Sequence, residues 1–246
     1  MPKAYIAISV ISVILSFIGG FLVANALNRS EVASLRNQVE KIGAEPSNAN
    51  TSSNEATLSD TEIRAKIAEA DASPDNFAFQ RDLGLALYRY SAMQQDTNLL
   101  RESARLLERA LKLNPGDYQI KVALGNANFD VGYFEKKNEP FENARKYYKM
   151  ALDARPNDVD VRTDYALTYF LQTPPDNRNA IKEFEAALKD NPKQEKALQF
   201  LTRAYWQAGQ GELAIETLKR LRSVNPASPV IKELEELLLQ PPAAAK

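Results

Sequence analysis

The chain has 246 residues, 44% of them apolar and 26% charged, with a formal net charge of −1 at pH 7, the profile of a globular protein with no bias toward polyanionic partners. It contains no cysteine and no histidine, which excludes disulfides, haem attachment through paired cysteines, the usual zinc sites and any Ser-His or Cys-His nucleophile pair. No basic run is interleaved with aromatics, so neither nucleic acid nor a cofactor is expected.

Residues 1–27 open the chain with Ala4 to Leu27, 24 residues without a charge. At about 1.5 Å per residue this stretch predicts a helix able to cross the roughly 30 Å hydrocarbon layer with some tilt, so a lipid bilayer is an expected partner. Ala24-Asn25-Ala26 has the small-x-small shape of a signal-peptidase site, but the apolar run exceeds the usual signal core and favours an uncleaved anchor. Ser12, Ser16, Gly20 and Ala24 form a small-residue stripe through which two copies could pair. Residues 28–42 continue as a polar helix with Val32, Leu35, Val39 and Ile42 at 3-4-3 spacing, too few heptads for a stable coiled coil alone. Residues 43–59, rich in Ser, Asn, Thr and Ala, read as a flexible linker spanning about 20–25 Å.

Residues 60–240 are helical in pattern. Ser59-Asp60-Thr61-Glu62 is a capping box that opens a helix through Ala70. Pro74, Pro115, Pro156, Pro192 and Pro226 then follow at separations of 41, 41, 36 and 34 residues. Between successive prolines stand a first-helix pair (Leu83-Gly84, Leu124-Gly125, Tyr165-Ala166, Leu201-Thr202) and second-helix residues that are mostly small (Ser103 and Ala110, Ala144 and Ala151, Ala180 and Ala187, Ala214 and Leu221). In the last unit Leu198, Leu201 and Tyr205 recur on one face before Gly209-Gln210-Gly211, and Ala214 and Leu218 mark the returning helix. Two units hold seven extra residues and one holds two; longer helices or longer loops would both accommodate them. Ser228-Pro229 predicts the start of a last helix, with Val230, Ile231, Leu234, Leu237 and Leu238 inward and Lys232, Glu233, Glu235 and Glu236 outward. Residues 241–246 read as a disordered tail.

This pattern resembles the tetratricopeptide repeat, a helix-turn-helix unit of 34 residues. The resemblance implies an all-α, right-handed solenoid of about four repeats with capping helices at both ends, preceded by the single transmembrane helix. It also implies a concave groove lined by the first helices. The groove-facing positions would be Arg81 and Leu85; Gln119, Val122 and Asn126; Thr163, Asp164, Leu167 and Phe170; and Lys196, Gln199, Phe200, Arg203 and Trp206. Arg81, Asn126, Asp164, Phe170, Gln199, Phe200, Arg203 and Trp206 are the candidate partner-binding residues. Leu85, Ala123 and Asp164 stand where a clamp for a carboxylate would need Asn or a cation, and Asp164 suits a basic or polar ligand group.

The lone Trp206 has two readings, inter-repeat packing with its indole N–H satisfied at the rim, or an exposed anchor for a partner. Acidic pairs such as Glu183 and Glu185 lie on solvated helix faces, and no catalytic residue is expected. The layout resembles membrane-anchored bacterial repeat proteins, including the apocytochrome-holding component of c-type cytochrome maturation. The expected role is a scaffold or assembly factor at the bacterial inner membrane that holds a partner protein or peptide; a permanent subunit of a membrane complex is the alternative. The charges flanking the span favour cytoplasmic repeats, whereas the short N-terminal tail and signal-like span favour periplasmic ones, the orientation adopted here.

Overall fold

The computed structural model describes residues 59–241. The chain divides into two units, residues 1–57 and 58–246, and the expected anchor, juxtamembrane helix and nearly all of the linker lie outside the described residues. Among the described residues there are ten helices and no strand: α1 Asp60–Ala72, α2 Phe77–Gln94, α3 Thr97–Leu113, α4 Tyr118–Glu135, α5 Asn138–Ala154, α6 Val159–Leu171, α7 Asn177–Asp190, α8 Glu195–Gln207, α9 Gly211–Val224 and α10 Ile231–Leu238. None of them is long and apolar enough to cross a membrane.

Four helical hairpins, α2/α3, α4/α5, α6/α7 and α8/α9, follow one another, and each second helix also packs on the first helix of the next hairpin. The five prolines occupy equivalent corners between them. Each is the second residue of a four-residue turn, where its fixed φ suits the chain. The turn closes by backbone hydrogen bonds from Asn76 to Ser73, Asp117 to Asn114, Asp158 to Arg155, Gln194 to Asn191 and Ser228 to Asn225, all of 3.1–3.2 Å. In the first four corners the same residue then caps the next helix: the side chains of Asn76, Asp117, Asp158 and Gln194 accept from the amides of Phe79, Ile120, Val161 and Ala197. One short motif therefore both stops a helix and starts its successor.

The extra residues of the first two repeats are helix. The first helices α2 and α4 have 18 residues against 13 in α6 and α8, and the second helices α3 and α5 have 17 against 14 in α7 and α9. The two-residue excess of the third repeat goes instead into the connection between Leu171 and Asn177. Its Thr173 exchanges two hydrogen bonds with the side chain of Asn138 at the start of α5.

Hydrophobic packing joins neighbouring helix pairs. Leu85, Leu107, Leu111, Ile120, Leu124 and Tyr147 join the first repeat to the second, and Ile63, Ala70, Leu87 and Leu106 join α1 to the first. Each such aliphatic side chain contributes about 1.5–3 kcal/mol on full burial. Gly84 and Gly125 sit where paired helices cross: a Cβ on Gly84 would stand 2.8 Å from the Leu107 side chain, and one on Gly125 only 2.4 Å from the Tyr148 ring.

Both ends are covered. The Ser59/Glu62 capping box forms as expected, and α1 is tied to α2 by the Gln80 side chain, which donates to the carbonyls of Ala70 and Ser73. At the far end α10 begins at Ile231, two residues later than Pro229 suggests, because Pro229 and Val230 form a further turn after the corner, closed by the Ile231 amide on the Ser228 carbonyl at 3.2 Å. Ile231 and Leu234 face inward and are buried. Glu233, expected to face water, is instead turned toward α8, where it accepts from Arg203 at 2.8 Å.

Candidate binding face

On one side of the array the first helices touch one another directly, α2 with α4, α4 with α6 and α6 with α8, and α10 continues the row against α8. The second helices make no comparable contact among themselves. First-helix side chains that point away from their own second helix therefore share one inner face.

At its centre lies a polar cluster drawn from five helices. The Tyr148 hydroxyl of α5 donates to Asn126 Oδ1 of α4 at 2.9 Å. One turn along α4, the Asp130 carboxyl is 8% exposed, and the Tyr88 hydroxyl of α2 is among its neighbours. Asp164 of α6 holds the Lys196 ammonium of α8 at 2.6 Å, both side chains remaining about a quarter exposed. Burial, and next the charge of Asp164, push the Asp130 carboxyl up to about 7, against opposing effects of Tyr88 and Lys196. Burial likewise raises the Tyr88 and Tyr148 hydroxyls far beyond the physiological range, so both act as neutral donors.

Toward α10 the face turns aromatic and then closes. Phe200 meets Phe170 edge-on with ring centres 5.7 Å apart and stacks on Phe184 at 6.3 Å. Arg203 is 5% exposed, with its guanidinium against Glu233. The Trp206 indole N–H donates to the Gln240 carbonyl at 3.3 Å, which matches the packing reading, with the side chain partly buried at the rim.

The sequence-derived residues thus fall into three groups. Asn126 and Asp164 stand in the polar cluster, which leaves Asp164 and Lys196 reachable from solvent. Phe170 and Arg203 are buried in the wall, while Phe200, Trp206 and Gln199 are partly covered. Arg81 lies at the other end, bonded to Gln119 at 3.0 Å and 3.5 Å from Asp117. Sequence reasoning missed Tyr88, Asp130 and Tyr148 as members of this face. Tyr88 is seven residues beyond Arg81 and Asp130 four beyond Asn126, so helical periodicity would have found both had the first helices been drawn at their true length.

Two family models, each described as tetratricopeptide repeat, match residues 93–159 and 176–238, together more than half of the chain. Among solved structures, the crystal structure of MamA protein is 20% identical, with 68% of this chain and 82% of that chain covered at a TM-score of 0.54. MamA 41-end from Desulfovibrio magneticus RS-1 is 14% identical over 69% and 86% of the two chains, at 0.55. At these identities the likeness is one of fold. No curated protein matches by sequence. With five corner turns in register, four stacked hairpins and two matching family models, the chain is a tetratricopeptide-repeat protein.

Proposed function

We propose that the chain is a membrane-anchored scaffold or assembly factor, attached through residues 4–27, that holds a partner polypeptide against the inner, concave face of its repeats on the periplasmic side of a bacterial inner membrane. The observation that carries the reading is the composition of that face: buried aromatic rings beside partly exposed, hydrogen-bonding groups, in a row of helices whose two ends are capped by α1 and α10 while the middle has no covering helix among the described residues. Such a surface supplies an apolar seat and polar groups for main chain, the two components of extended-peptide recognition.

The test is capture from membranes of the native organism in mild detergent with photo-crosslinkers at Gln199 and Phe200. Crosslinks to a polypeptide, lost when unlabelled partner is added in excess, support the reading. A partner that survives a high-salt wash at one-to-one stoichiometry makes the chain a permanent subunit. Protease digestion of the repeats in intact spheroplasts supports the periplasmic orientation, and digestion only after lysis overturns it.

A further inference from the structure

The cations of the inner face already have carboxylates. Arg81 pairs with Asp117, Lys196 with Asp164 and Arg203 with Glu233. Asp130, 8% exposed, makes no ion pair within 4 Å among the described residues, the Lys196 ammonium being held by Asp164 instead. Around it stand Tyr88 from α2, Asn126 from α4, Tyr148 from α5, Asp164 from α6 and Lys196 from α8. That set holds two carboxylates against one ammonium, with hydroxyl and amide groups as the remaining hydrogen-bonding partners.

We infer that Asp130, with Asp164 beside it, is the seat for a single cationic side chain, an arginine or lysine of the partner polypeptide, inserted into the inner face between α4 and α6. This deepens the proposed function and rests on it, by naming the charge the partner must present. An inserted guanidinium or ammonium would bring the cluster to two positive and two negative groups, removing the imbalance that otherwise makes a buried carboxylate costly. A partner carboxylate at the same place would meet two like charges. The Asp130 carboxyl, pushed up by burial to about 7, must lose its proton for the cation to enter as a pair, so occupancy and proton release go together.

The full chain in detergent micelles would be titrated by calorimetry with two capped pentapeptides that differ only at the centre, arginine in one and glutamate in the other, flanked by leucines. At pH 8 the arginine peptide is expected to bind at least tenfold more tightly than the glutamate peptide. Its affinity should fall about tenfold between pH 8 and pH 6, as a carboxyl titrating near 7 becomes protonated. Asp130→Asn should abolish both the preference and the pH dependence. Lys196→Met, which removes the competing ammonium, should strengthen arginine binding severalfold, an effect opposite to that of a damaged fold. Equal binding of the two peptides, or a preference that survives in Asp130→Asn, overturns the cation seat while leaving the partner face in place. Failure of both peptides to bind or to compete with the crosslinks at Phe200 counts against the face itself.

Discussion

The first two repeats and the last two meet the same packing requirement with different lengths. In the first pair glycine occupies the helix crossing and the facing second-helix residues are Leu107 and Tyr148; in the last pair the crossing residues are Ala166 and Thr202, with Phe184 and Leu218 at the facing positions. Seven added residues are about two turns, shared between both helices of the hairpin, so every inward position keeps its face. A two-residue addition cannot do this and was confined to a connection. Repeat length is thus free to change in steps that restore helical phase, while the side chain at the crossing is set by what stands opposite.

The sharpest way to break the comparison is to exchange the crossing residues. Gly125→Ala drives a methyl into the Tyr148 ring, which is 1% exposed and cannot swing away, so a loss of about 3 kcal/mol is expected in denaturant titration. Ala166→Gly should cost only about 1 kcal/mol. If the two variants lose equal stability, the crossings are equivalent and glycine there is incidental.

A second measurement probes the polar cluster, which spans both halves. Burial pushes the Asp130 carboxyl up to about 7 in the folded chain, from the 3.8 of an unhindered aspartate, so the folded state holds the extra proton. The resulting destabilisation is absent below the unfolded value, grows as pH rises between the two, and is complete above 7. A rise from 3.8 to about 7 corresponds to about 4 kcal/mol, reduced by local relaxation to about 2 kcal/mol. Asp130→Asn should therefore be more stable than the parent at pH 8 by about that amount, and the gain should vanish at pH 4.

The third concerns the closing helix. Arg203→Met leaves Glu233 without its partner, and because Glu233 remains one-third exposed the expected loss is about 2 kcal/mol rather than the full cost of breaking a buried pair. Hydrogen exchange should quicken first in α10 and the end of α8, with α4 unaffected, as expected of nearest-neighbour stacking. The smallest effect is a gain. Gln95 and Lys136 end the long first helices with φ of 57° and 56°, where the last repeat uses Gly209 at 75°. Gln95→Gly should raise stability by about 0.5–1 kcal/mol in thermal unfolding.

Much of the fold was legible in the residues. The corner prolines, the capping box at Ser59 and the small residues at Ala144, Ala151, Ala180 and Ala187 all act where their spacing placed them, because each works through its own few neighbours. Glu233 shows where such reading stops. Its place beside polar residues on an amphipathic helix favoured solvent, yet a guanidinium thirty residues earlier draws it inward. Tyr148 packs on Gly125, and its hydroxyl also reaches Asn126, a bond that no local pattern in the residues announces.

By itself the sequence determined the helices, their stops and starts and the repeating unit, because periodic apolar residues and proline corners act over a turn or two of chain. Only the tertiary structure decided whether the extra residues became helix or loop, which carboxylate was desolvated and which faced water. Those outcomes depend on groups far apart in the chain: Tyr88, Asp130, Asp164 and Lys196 acquire their shared environment only when four hairpins stack, and burial by those neighbours, rather than the residue type of Asp130, raises its affinity for a proton.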